Sequence, residues 1–226
     1  MTNYWGSFQG AAAGVYHLEA DGTDSGGGGN NMTASAGTVT YTTIGKFGYC
    51  GYFGGAAALG ASYSAAWSPT AFTAGVWVYS TDNAQAGHVF GNFGYNGGSY
   101  YGWTLRWDAS GQPRVYIAKG DSGAGTEIAN LTYSANAWHY VIITYNGTNT
   151  CYIYVDDAVA ASSTGVATIA NNSSACSPRI GCRVIYSGNE RFFKGYIDEA
   201  WVLNGTALTA SQVHRMYGWA KGKAWV

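Results

Sequence analysis

The chemistry open to this chain is limited first by its carboxylates. Its four glutamates, Glu19, Glu127, Glu190 and Glu199, are scattered, and the neighbouring acidic pairs are Asp156/Asp157 and Asp198/Glu199. Cleaving a glycosidic bond with retention takes two carboxyl groups about 5–5.5 Å apart across the sugar. Successive residues of a strand point to opposite faces, so neither pair is expected to share a pocket wall. The histidines His17, His88, His139 and His214 have no nucleophile-elbow motif beside them. His139 reads as a hydrogen-bonded side chain at a strand start. Gly26 to Gly29 is followed by neither Lys-Ser/Thr nor a long helix, so it is not a phosphate loop. The expectation is a protein that is not an enzyme.

Two binding chemistries remain. Hard cations take oxygen ligands from carboxylates and backbone carbonyls; Glu19, Asp21 and Asp24 beside the tract Asp21–Gly29 offer both, making structural Ca2+ the candidate cofactor. Sugars need aromatic faces with polar groups nearby, and Tyr95, Tyr100, Tyr101, Trp103, Arg106 and Trp107 supply that mixture. Trp103 and Trp107 share parity with Leu105 and read as core. Tyr95, Tyr100, Tyr101 and Arg106 are therefore the candidate ligand-binding residues.

The elements that must position them are strands. Val15–Leu18, Gly45–Phe53, Ala71–Tyr79 and Tyr196–Leu203 are strand-like, and on the third Phe72, Val76 and Val78 oppose Trp77 and Tyr79. Trp103–Trp107 and Arg114–Ile117 flank the turn Asp108–Gly111, which predicts a hairpin. Trp138–Tyr145 and Cys151–Val155 flank Asn146-Gly147, predicting a second hairpin with a loop longer than two residues. Thr209 and Gln212 have capping-box spacing, and Val213, Met216 and Tyr217 share a face, predicting a helix of about two turns. No fixed-period repeat is visible, which argues against propellers and solenoids.

Composition agrees with an all-β globular chain. Of 226 residues, 34 are Gly, 19 Tyr and 9 Trp, and only 10% are charged; pleated strands and tight turns follow from such usage. A length of this order fits one β-sandwich domain, 1–226, with 1–14 and 218–226 as peripheral or inter-subunit segments. The net charge of −1 and the lack of a Lys/Arg cluster exclude a nucleic-acid or anionic-membrane footprint. No apolar run is long enough to cross a bilayer, so no membrane insertion is expected. Met1–Gly10 shows no signal-peptide pattern, which predicts either a trimmed boundary or a protein carried to its workplace by assembly, as virion proteins are. Cys176 and Cys182 could close a small loop; Cys50 and Cys151 lie in apolar strands, and reduced thiols are the favoured reading.

Several segments resemble, in order, the laminin-G-like jelly roll of the concanavalin A-like lectin and glucanase superfamily. They are Val15–Leu18 with Gly45–Gly48 and Phe53, then Phe72–Trp77, then Trp138–Val141, Tyr145–Gly147 and Tyr154–Asp157, and finally Gly195–Glu199 with Leu208-Thr209 and Val213–Tyr217. Asp157 stands where the family pattern has glycine. The resemblance implies an all-β, two-sheet antiparallel jelly-roll sandwich with one short C-terminal helix. It also implies an acidic closing-strand residue completing a calcium site, here Asp198. The superfamily's glycosidases carry a Glu-x-Asp-x-Glu run, and this chain has none. The expected function is a lectin-like binding or adhesion module for a glycan or cell-surface ligand, on an extracellular or virion surface. Homo-oligomer or neighbouring virion or assembly subunits are the expected partners. The alternatives are a structural decoration domain and, third, a polysaccharide-active enzyme.

Overall fold

Alternation of apolar residues with a period of two dominates the chain, and in the computed structural model it produces seventeen strands and one α-helix among the described residues. These are residues 12–82, 86–122, 125–129, 131–173, 175–185 and 188–222. The strands run β1 (Ala12–Tyr16), β2 (Thr33–Ala36), β3 (Thr40–Gly45), β4 (Gly48–Gly54), β5 (Ala58–Gly60), β6 (Phe72–Ser80), β7 (Gly87–Asn96), β8 (Ser99–Trp107) and β9 (Pro113–Ile117). They continue as β10 (Thr126–Ile128), β11 (Trp138–Tyr145), β12 (Cys151–Val155), β13 (Ala158–Ser163), β14 (Pro178–Ile180), β15 (Arg183–Ile185), β16 (Gly188–Glu190) and β17 (Lys194–Asn204), before α1 (Ala210–Gly222).

One sheet has the order β13-β12-β11-β6-β17-β4-β3, with β1 also paired to β17; the other has the order β10-β9-β8-β7-β14-β5-β2. A separate ribbon, β15-β16, lies against β7. The sandwich and its C-terminal helix are as expected, and the neighbouring strands of both sheets pair antiparallel.

The core lies between the sheets. Phe72, Val76 and Val78 of β6 face it together with Trp103, Leu105 and Trp107 of β8 and Val115 and Ile117 of β9. Phe72 stacks on Trp103 at 4.5 Å between ring centroids, and Phe90 meets the same indole edge-on at 5.7 Å. Trp103 is therefore a bridge between sheets.

The first sheet is buried on its outer face as well, which accounts for the apolar run Val141–Ile143. Trp77, Tyr140, Ile142 and Trp201 pack there beneath Val213, Met216 and Ala220 of α1. Trp77 stacks on Tyr140 at 4.9 Å, and the Trp201 indole N–H donates to the Tyr140 hydroxyl oxygen at 3.0 Å. Gly75 makes this possible, since a Cβ there would come within 2.3 Å of the Trp201 ring.

Two expectations change. Gly45–Phe53 is not one strand: Lys46-Phe47 turns the chain between β3 and β4, with Gly45 paired to Gly48. The helix is longer than two turns, at 13 residues, because Ala220 extends the buried stripe beyond Met216. The Thr209–Gln212 capping box does form: the Gln212 side-chain oxygen accepts from the Thr209 N–H at 2.8 Å. Residues 12–14 lie in β1 and 218–222 in α1; residues 1–11 and 223–226 lie outside the described residues. All four cysteines are free and buried.

Candidate functional site

Hairpin parity builds a pocket on the outer face of the second sheet. With Trp103, Leu105 and Trp107 turned inward, β8 presents Thr104 and Arg106 outward; β9 likewise buries Val115 and Ile117 and presents Arg114 and Tyr116. The register is held at the turn by Asp108. Its carboxylate accepts the N–H groups of Ser110 (2.8 Å) and Gln112 (2.9 Å) and the Arg114 Nε–H (2.5 Å). Burial pushes this carboxyl up, but those donors outweigh it and leave the group below its usual range. Gly102 lets β8 pass close to β7: its φ is +81°, and a Cβ would sit 1.8 Å from the Asn92 carbonyl oxygen.

The result is a cavity of about 180 Å³ lined by Phe93, Tyr100 and Tyr116 on its aromatic side and by His88, Arg106, Glu127 and Arg183 on its polar side. Phe93 stacks on Tyr100 at 5.7 Å and meets Tyr116 edge-on at 5.2 Å. Arg106 pairs with Glu127, which Arg114 also approaches at 3.6 Å. Arg183, held by Glu190, places its guanidinium 6.0 Å from the Phe93 ring centroid. The Tyr116 oxygen accepts the Gly125 N–H at 2.6 Å, leaving its own hydroxyl proton for another acceptor.

His88 is the unusual member. It is 2% exposed and opposite Arg106 in the strand register; its Nδ1 lies 2.9 Å from the Thr104 hydroxyl oxygen, while Nε2 meets no protein partner. The Nε of Arg106 is likewise buried and unpartnered. Burial, then the charges of Arg183, Arg106 and Arg191, hold the imidazole well below its ordinary pKa, so it is neutral near pH 7. Unmatched buried nitrogens are costly unless a ligand or solvent meets them.

Of the four residues expected to bind ligand, Tyr100 and Arg106 line the cavity. Tyr95 backs Tyr100 at 4.6 Å. Tyr101 is not among the lining side chains; its ring lies over the turn at Gly120. The outward parity of Tyr116 was readable from the hairpin. His88, Phe93, Glu127 and Arg183 arrive from segments separated in sequence, which no local pattern announces.

The residues considered for calcium are not assembled into one site. Asp24 is a loop clamp: Oδ1 accepts the N–H groups of Val15 (3.0 Å) and Gly26 (2.8 Å), and Oδ2 that of Asn30 (3.0 Å). Asp21 accepts the Thr23 N–H at 2.8 Å, Glu19 is exposed, and Asp198 accepts the Phe47 N–H at 3.1 Å. Among the described residues no three His, Cys, Asp or Glu side chains gather as a metal-binding group. Asp24→Ala is expected to lower stability by about 3 kcal/mol, since three amides lose a buried charged acceptor. That corresponds to roughly 6–12 °C in melting temperature for a chain of this size; an unchanged melting curve would show that the clamp contributes nothing.

The alternation argument fails locally at Asp198/Glu199. A bulge interrupts β17 between Asp198 and Trp201, and Glu199 takes φ +49°, so the two do not simply face opposite ways. Glu199 instead pairs with His17 at 2.8 Å. With 1% and 4% exposure the two carboxyls leave no room for a substrate. Asp156 and Asp157 form the β12–β13 turn at φ +50° and +75°, a conformation Asp tolerates, which explains Asp in place of glycine. His139 is, as expected, hydrogen-bonded: Nδ1 lies 2.7 Å from Asp156 and Nε2 3.2 Å from the Ser134 carbonyl oxygen.

Residues 53–214 match the family model described as the concanavalin A-like lectin/glucanases superfamily, and the chain belongs to that superfamily. No curated protein matches it by sequence. Among solved structures it is similar to domain 4 of AbnA, a GH43 extracellular arabinanase from Geobacillus stearothermophilus, solved with arabinotriose. The TM-score is 0.65 at 19% identity, over 91% of this chain and 98% of that one. It is also similar to the binding domain of Paraclostridial Mosquitocidal Protein 1, with a TM-score of 0.72 at 15% identity, covering 93% of this chain and 52% of that one. The binding domain of Botulinum Neurotoxin DC in complex with SialylT gives a TM-score of 0.67 at 11% identity, over 95% and 53%. The chain thus spans about half of these two toxin domains, and at such identities the likeness is one of fold.

Proposed function

We propose that this chain is a non-catalytic, lectin-like module that recognises a glycan through the outer face of the β10-β9-β8-β7 region. The observation that carries the reading is the pocket lined by Phe93, Tyr100 and Tyr116 together with His88 and the Arg106–Glu127 pair. Aromatic faces suit the apolar side of a sugar ring, and fixed donors and acceptors suit its hydroxyls. Sugar-bound structures of the same fold, one with arabinotriose and one with SialylT, support sugar as the ligand class. Display on an extracellular or virion surface is part of the same proposal, supported by the low charge and high Gly and Tyr content. Among the described residues no helix is long and apolar enough to cross a membrane.

A glycan array followed by calorimetry tests this. Tyr100→Ala is expected to weaken the bound sugar about five- to thirtyfold, the loss of one well-packed aromatic contact, while shifting the melting temperature little. A silent array would reject the reading, and release of sugar from a polysaccharide would reject its non-catalytic part. The second reading, a structural decoration domain, is favoured by the exposed Ile44 and Tyr49 on the hairpin of β3 and β4. A concentration-dependent oligomer lost in Ile44→Ser, together with a silent array, would select it.

A further inference from the structure

We infer that a second pocket, on the β14-β5-β2 half of the same outer sheet face, is a site for a tetrahedral oxyanion: a sulfate or phosphate group received by Arg179 and the hydroxyls around it. The site is separate from the aromatic pocket, so it stands or falls independently of the glycan reading.

Strand parity puts Arg179 there. Pro178 and Ile180 are buried, Ile180 in the core between the sheets, so Arg179 points outward. In the register it stands beside Gly60 on one side and Gly91 on the other, and Gly91 pairs in turn with the outward Thr104. Gly60 gives the guanidinium its place, since a Cβ there would come within 2.6 Å of Nη1. The resulting cavity has a volume of about 380 Å³, and its lining includes Asn31, Thr33, Gly60, Ser62, Ser177 and Arg179.

Charge distinguishes this pocket from its surroundings. Arg106, Arg114 and Arg183 each pair with a carboxylate, whereas Arg179 pairs with none among the described residues. Burial disfavours the charged form of Arg179, and only the Cys182 thiol acts the other way. That thiol is pushed up to about 12, chiefly by burial, and is neutral near pH 7. Neutral acceptors hold one side of the guanidinium: Nη1 donates to the Pro178 (2.8 Å) and Ala61 (3.1 Å) carbonyl oxygens, and Nε to Asn189 Oδ1 (3.2 Å). Nη2 has no acceptor among the described residues and is not one of the fully buried unpartnered nitrogens, so its two protons meet solvent. The hydroxyls of Thr33, Ser62 and Ser177 are likewise uncommitted among the described residues. Asn31, whose side-chain oxygen accepts the Asp24 N–H at 2.8 Å, keeps its NH2 for another acceptor.

Free donors around a guanidinium without a counter-charge call for an anion. The planar fork that receives a carboxylate side-on is already spent, because Nε and Nη1 are taken. An anion with oxygens directed to several sides can instead meet Nη2 and the hydroxyls together. The volume falls within the roughly 300–1,000 Å³ of usual ligand cavities, enough for the anion and part of a group that carries it.

The test is calorimetric titration of the full chain, at constant ionic strength, with inorganic sulfate and phosphate, galactose 6-sulfate, galactose 6-phosphate, galacturonate and galactose. A tetrahedral anion is expected to bind at least about tenfold more tightly than galacturonate or galactose, the effect of a charged hydrogen bond. An ester bound more tightly than the inorganic ion would support the site and assign it to a substituted sugar; equal binding would support it and assign it to the free ion. Arg179→Gln is expected to abolish the preference. That variant also loses the bonds to Ala61 and Pro178, so Ser62→Ala combined with Ser177→Ala supplies the independent check: binding weakened about fivefold or more at unchanged melting temperature. Tyr100→Ala is expected to leave anion binding unchanged. Tetrahedral anions bound no more tightly than galacturonate would overturn the inference, as would anion binding that survives both changes at Arg179 and the serines or that is lost in Tyr100→Ala. A silent glycan array beside intact anion binding would reject the glycan reading and leave this site standing.

Discussion

Trp103→Ala is expected to destabilise the fold by about 3–5 kcal/mol, the usual cost of truncating a fully buried indole, and to lower the melting temperature by roughly 6–20 °C. The indole has no exposed surface, stacks on Phe72 of the opposite sheet and meets Phe90 edge-on. Its removal would open a cavity at the junction of the two sheets. The variant separates two roles that composition alone confuses, because Trp103 lies in the same aromatic-rich strand as the pocket residue Tyr100. Thermal and urea melts should show Trp103→Ala to be much less stable and Tyr100→Ala nearly unchanged, with sugar affinity following the opposite order at temperatures where both are folded. A normal melt for Trp103→Ala combined with lost sugar binding would make Trp103 a ligand platform and undo the assignment of that face to the core.

The second large effect is the pH dependence set by Asp198. Burial, reinforced by the neighbouring charge of Glu199, raises this carboxyl from 3.8 to about 7, although the backbone N–H groups of Phe47, Lys46 and Glu199 favour its ionised form. Between about pH 4 and 7 the folded chain holds a proton that the unfolded chain has released, so stability falls as pH rises through that window. A displacement of this size corresponds to on the order of 4 kcal/mol. Glu199, also raised by burial, acts in the same sense. His17, raised first by its bond to Glu199, adds stability at low pH that is lost as pH rises through its folded-state pKa. His88, lowered by burial, works the other way, costing stability as pH falls below the ordinary histidine range. The clean measurement is therefore a difference: the stability of Asp198→Asn minus that of the parent, from urea melts across pH 4–8. That difference is expected to rise with pH by a few kcal/mol. A flat difference would show that Asp198 ionises normally.

Much of the sandwich was legible in the order of residues, because the signals that carry it are local. The inward parity of Trp103, Leu105 and Trp107, the two faces of Phe72–Tyr79, the hairpins at Asp108 and Asn146 and the capping box at Thr209 each depend on neighbours within a few positions. So does part of the pocket: Tyr100 and Arg106 point outward for the same reason that the tryptophans point inward. Three things were not carried by these signals. A bulge at Glu199 broke the alternation that local reasoning assumed, and Asp24, rich in oxygen, was consumed by the amides of its own loop. His88, Phe93 and Arg183 reached the pocket through pairing of β7 with β8 and the lie of the β15–β16 ribbon. Strand periodicity decides which face a side chain takes. Only the sheet order decides which side chains from other strands share that face, and here it set a neutral, unpartnered imidazole among arginines.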